Sequence, residues 1–165
     1  MLEKFLLEIR ADVLKSWFQL ILGTYPSETV KLLGLEKDPF VNPVGQTIKR
    51  AIEAIYDGLL SGMEVHEIKG DMERILQIRS VQDFSPSRAV VFIFLLKTAL
   101  RDELERSGME AREWMANWLE LESRIDELSL LAFDIYSTYR ERIFEIRISE
   151  IRKDRDRMRK LIERS

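Results

Sequence analysis

The sequence predicts an all-α protein: a single helical-bundle domain with a long carboxy-terminal helix. Three observations carry this. Apolar residues recur at three- and four-residue intervals over most of the chain, as the buried stripe of an amphipathic helix does. No stretch shows the two-residue alternation of a strand bounded by hairpin turns. After Gly108 there is neither glycine nor proline, so the 57 residues from Met109 to Ser165 read as helix throughout. Unbroken, that helix would span about 85 Å, against a diameter of roughly 40 Å for a compact domain of this size. It must break without a breaker residue or project.

The first stripe, Leu2, Phe5, Leu6, Ile9, Val13, Trp17, Leu20 and Ile21, predicts one helix that Gly23 and Pro26 end. A short helix over Ser27 to Leu33 follows, then the irregular segment LGLEKDPFVNPVG. Asn42 before Pro43 fits an N-cap with proline at the first helical position, opening a helix from about Pro43 to Leu60 that Ser61-Gly62 closes. Val65, Ile68, Met72, Ile75, Leu76 and Ile78 predict a helix from Glu64 to about Ser80. Ser85-Pro86 is a second cap with proline. It starts the helix containing AVVFIFLL, apolar on every side, which predicts a central position with neighbours all round.

In the last helix Leu121, Ile125, Leu128, Ala132, Ile135 and Tyr139 form one stripe, widened by Leu131, Phe133 and Tyr136. Beyond Arg147 it narrows to a line through Phe144, Ile148, Ile151, Met158 and Ile162, with Arg155 in place of one apolar residue. That line suits a seam for one partner helix, either a second copy or another protein. The expected division is a sensory or regulatory domain over residues 1–146 and a projecting basic helix over 147–165. From Arg140 to Ser165 there are ten basic and six acidic residues, so the tail carries +4 and the remainder −7 within a net charge of −3. The net charge of −3 argues against general nucleic-acid binding, because phosphate affinity comes mainly from lysine and arginine.

The longest apolar run, Ala89 to Leu96, has eight residues, against about 18 for a membrane span. The first residues mix acids into their apolar pattern and lack the small-residue site of a signal peptide, so a cytoplasmic protein with no membrane partner is expected. The chain has no cysteine, which removes disulfide and thiolate chemistry.

Catalytic, cofactor and metal residues are not predicted. His66 is the single histidine, and it aligns with Lys69 and Glu73 on a polar side. Glu64, Glu67 and His66 come nearest to a metal cluster but read as a solvated turn, and Glu120, Glu122, Asp126 and Glu127 point to different helix faces. No phosphate-binding loop or hydrolase elbow occurs. Trp17, Phe18, Phe92, Phe94, Phe133 and Tyr136 fall on predicted core faces; they suit plain core, or the lining of a pocket for an apolar ligand. Trp114 and Trp118, four apart, would form a partner patch if exposed. Arg79 and Asp83 are placed for an ion pair at the corner before Ser85, with Arg88 one turn on; a small-anion site is the alternative reading of that corner.

The strings DPFVNPVG (38–45), IRSVQDFSPSRAVVFIFLLK (78–97) and RIDELSLLAFDIY (124–136) resemble the amino-terminal domain of the RsbRD-type co-antagonists of RsbT, found in bacterial stress-signalling proteins and as stand-alone chains. The resemblance implies an all-helical, non-enzymatic sensory or regulatory input module without cofactor. The related RsbR amino-terminal domains are globin-like without haem and form dimers, so that architecture and a homodimer are expected. In the RsbR arrangement a helix leads on to a STAS domain, which has no counterpart before Ser165, so action through a separate protein partner is expected. The second functional expectation is a helical carrier or sensor of a small apolar or anionic ligand.

Overall fold

The computed structural model describes residues 2–35, 42–64, 66–82, 84–108 and 110–163. Among them are seven helices and no strand: α1 (Leu2–Glu8), α2 (Arg10–Leu22), α3 (Ser27–Leu35), α4 (Pro43–Leu60), α5 (Lys69–Val81), α6 (Pro86–Arg106) and α7 (Ala111–Glu163).

The helix expected from Leu2 to Ile21 is interrupted once, at Ile9 (φ −88°, ψ 3°). Hydrogen bonds from Ile9 N to Phe5 O and from Val13 N to Ile9 O carry the chain across, so α1 and α2 still share one buried stripe. The two cap signals act as expected. Asn42 Oδ1 accepts from Gly45 N at 2.8 Å and Ser85 Oγ from Arg88 N at 3.4 Å, with Pro43 and Pro86 in the first turn of each helix. Asn42 also donates through Nδ2 to Leu33 O, tying α3 to the start of α4. Only glycine fits at position 45, because a Cβ there would lie 2.7 Å from Leu33 O.

The next helix begins later than its pattern suggests, at Lys69 instead of Glu64. Glu67 turns back to accept a hydrogen bond from Glu64 N, and Ile68 is buried beside Gly58 of α4. Val65 lies outside the described residues.

The core runs between α2, α6, α7, α5 and α4, which pack in that order of neighbours, with α1 and α3 at the edge. Trp17 is fully buried and its indole N–H donates to Phe92 O at 2.6 Å, joining α2 to α6. Tyr56 O–H donates to Leu6 O, Arg10 makes a two-pronged ion pair with Asp57, and Lys49 lies over the Phe18 ring, so α4 runs antiparallel to α2. Tyr136 on Phe84, Lys97 on Asp126 and Arg101 over the Trp118 ring set α6 and α7 antiparallel.

Two aromatic placements differ from the sequence reading. Phe94 is 46% exposed and Phe133 52% exposed, so neither joins Trp17, Phe92 and Tyr136 in the interior. The AVVFIFLL segment accordingly packs between α2 and α7 but is not covered all round: Val91 and Leu95 are partly covered and Phe94 faces solvent. Trp118 is buried and Trp114 packs edge-on against it at 5.8 Å, so the pair belongs to the core and is not an exposed patch.

Helix α7 is continuous over 53 residues, a length of about 80 Å. It does not break; it projects. Among the described residues no helix is long and apolar enough to cross a membrane.

Candidate functional site

The place where α7 leaves the body is built from α5, α6 and α7 together. Up to Tyr139 the helix buries Leu121, Ile125, Leu128, Ala132, Ile135 and Tyr136 along one stripe. Its polar side chains anchor it. Arg124 donates to Leu59 O and Met63 O at the end of α4, and Lys97 of α6 meets Glu122 and Asp126. The last two holds are Tyr136 O–H on Phe84 O at 2.7 Å and Arg140 on Ser80 O at 3.1 Å. Past Arg140 only Ile143 and Ile148 are partly covered, and the helix is otherwise exposed to Glu163.

A second apolar line lies on α7, about 120° round from the buried stripe. It runs through Leu130, Phe133, Phe144, Ile151, Met158 and Ile162, at steps of three, eleven, seven, seven and four residues, each within about 60° of whole turns. All six are more than half exposed, and Ile148 lies beside the line. Of the seam expected from Phe144, Ile148, Ile151, Met158 and Ile162, four side chains are thus exposed on one face and Ile148 is partly covered. The line also continues back onto the body through Leu130 and through Phe133, a residue whose spacing predicts core. Phe94 of α6 is exposed as well. Six large apolar groups on one exposed line depart from the scattered single residues usual on a monomer's surface.

The corner that holds the helix exit is organised by Arg79. Its guanidinium is fully buried and donates to Arg88 O at 2.8 Å and to Thr24 Oγ1 at 2.9 Å. It faces the rings of Phe84, Tyr25 and Phe92 at 4.7, 5.1 and 5.8 Å, a cation over three aromatic faces. Burial pulls its pKa below the usual arginine value, and burial likewise raises that of Tyr25. Among the described residues no hydrogen-bond partner meets Arg79 Nε or Tyr25 O–H. Asp83, expected to pair with Arg79, lies outside the described residues. Arg88 donates to Thr24 O, so the α2–α3 turn, the end of α5 and the start of α6 are joined at the point where Ser80 and Phe84 hold α7.

His66 is exposed in the turn before α5. Glu122 and Asp126 are both engaged by Lys97, and among the described residues no three histidine or acidic side chains gather closely enough for a metal. Trp17, Phe92 and Tyr136, expected as pocket lining, are packed core side chains; Trp17 and Tyr136 spend their polar atoms on backbone carbonyls.

The chain is similar, at 25% identity over 154 residues, to an uncharacterised protein of Archaeoglobus fulgidus, the alignment covering 93% of this chain and 92% of that one. No solved structure matches it. A family model does, over residues 11–151, which takes in the core, the Arg79 corner and the exposed line as far as Ile151. The chain therefore belongs to the family of the RsbT co-antagonist protein RsbRD amino-terminal domain.

Proposed function

We propose that this protein is a non-enzymatic sensory or regulatory input module of a stress or other signalling pathway, acting as a homodimer through the free part of α7. The single observation that carries this reading is the division of one unbroken helix into a held half and a half whose apolar line is exposed. A lone 23-residue helix in water gains little from itself, since helices draw most of their stability from packing an apolar face. A second copy, or the matching helix of a downstream protein, supplies that packing. The family assignment supports the regulatory role, and the reading includes the cytoplasmic setting and the globin-like arrangement without haem that the resemblance implies.

Light scattering after size exclusion tests it, comparing the whole chain with a version ending at Arg147 and with Ile148→Asp/Ile151→Asp. The expected outcome is a dimer for the whole chain and monomers for both variants, each keeping its body fold by circular dichroism. A whole chain that stays monomeric at high concentration sinks the homodimer. Variants that stay dimeric move the interface onto the body, around Leu130, Phe133 and Phe94.

A further inference from the structure

Helices α2, α3 and α4 enclose an open groove of about 830 Å³, within the range of small-molecule sites. Its floor is apolar: Leu14, Phe18 and Leu22 along α2, Val30 of α3 and Ile52 of α4. Its rim is basic. Arg10, Lys15, Lys31 and Lys49 stand around it against the single acid Glu53, on a body whose net charge is −7. Arg10 is neutralised by Asp57, but among the described residues Lys15, Lys31 and Lys49 have no carboxylate partner. Lys49 Nζ lies 4.8 Å over the Phe18 ring, at the boundary between floor and rim. Three free ammonium groups over an apolar trough, on an otherwise acidic body, form a surface of amphiphilic character with a positive head region.

We propose that this groove binds a long-chain carboxylate, its hydrocarbon chain lying along α2 and its head group among Lys15, Lys31 and Lys49. The lining residues on α2, Arg10 to Leu22, cover about 18 Å, the length of an extended chain of roughly fourteen carbons. Each methylene withdrawn from water favours binding, and the lysine stems add apolar wall while their ammonium groups reach the head. Three lysines against one glutamate around an apolar floor complement an anionic head group joined to a hydrocarbon chain. The inference uses none of the residues of the α7 line and stands or falls separately from the dimer.

Calorimetric titration of the full chain with tetradecanoate below its micelle concentration tests the assignment, with tetradecyltrimethylammonium as the control of equal length and opposite head. The expected result is saturable one-to-one binding of the carboxylate and none of the ammonium. Lys15→Glu/Lys31→Glu/Lys49→Glu should weaken binding by about tenfold or more. Ala11→Trp, which puts a large ring at an exposed edge of the groove, should weaken it as well. Absence of saturable binding, equal affinity for both head groups, or undiminished affinity in both variants would overturn the proposal. So would tighter binding of an acidic amphipathic peptide at the same lysines. If a variant loses helicity, the comparison of the two head groups on the unaltered chain still decides.

Discussion

The two halves of α7 are one helix in two physical situations. From Trp118 to about Arg140 one stripe of its side chains packs against α5 and α6, and backbone carbonyls of three other segments accept its arginine and tyrosine donors. From Glu141 to Glu163 it is mostly exposed, and its ion pairs among the described residues are within the helix: Arg157 with Asp154, Arg159 with Glu163 and Arg155 with Asp156. Exposed pairs of this kind contribute about 0.3–0.5 kcal/mol each and are screened by salt. The difference teaches where helical stability comes from. The first half is fixed by tertiary packing. The second is an amphipathic helix waiting for a surface, and its apolar line indicates what kind of surface that is.

The largest effect should separate the halves directly. Ile125→Ala, in the packed half, should lower the unfolding free energy by about 2–5 kcal/mol, whereas Ile151→Ala should cost less than about 0.5 kcal/mol in dilute chain. Urea unfolding at two protein concentrations measures both. Equal losses in dilute chain would break the comparison; an Ile151→Ala loss that appears only at the higher concentration would sharpen it, by showing that a second copy covers the line.

A smaller effect lies at the boundary. Tyr136→Phe removes the bond to Phe84 O and should cost about 1 kcal/mol. Hydrogen exchange should then quicken in α7 from about Ser137 onward and stay unchanged near Leu128. Exchange that quickens along the whole helix would mean that the two halves open as one unit. The smallest effect is ionic: adding salt to dilute chain should weaken the three pairs of the free half and leave the packed half as it was. Amide exchange confined to residues beyond Arg140 is the expected signature.

The elements that announced themselves in the sequence did so through local chemistry. Asn42-Pro43 and Ser85-Pro86 mark helix starts because a cap and a fixed φ are properties of adjacent residues. The long helix was legible for the same reason, since nothing after Gly108 can stop it. What could not be read were facts about neighbours. Apolar periodicity does not say whether a second apolar face is inside or outside, so Phe94 and Phe133 passed for core. The absence of α5 helix before Lys69 depends on Ile68 finding Gly58, a contact between segments ten residues apart. Burial of Arg79 among three rings runs against the ordinary surface habit of arginine, and only the fold reveals it. The α2–α3–α4 groove was missed because its lysines come from three separate helices, with no shared spacing to betray them.

The grips at Tyr136 and Arg140 also act as a fulcrum. The rod beyond them is about 35 Å long and has no hinge of glycine or proline. A tilt of about 5° at the corner, no more than the repositioning of one arginine, would sweep the far end through roughly 3 Å. Rearrangements too small to disturb the core around Arg79 would therefore arrive at Ile162 as displacements of the order of an atomic diameter, enough to change which side chains mesh there. The corner needs no large motion of its own to be heard at the tip.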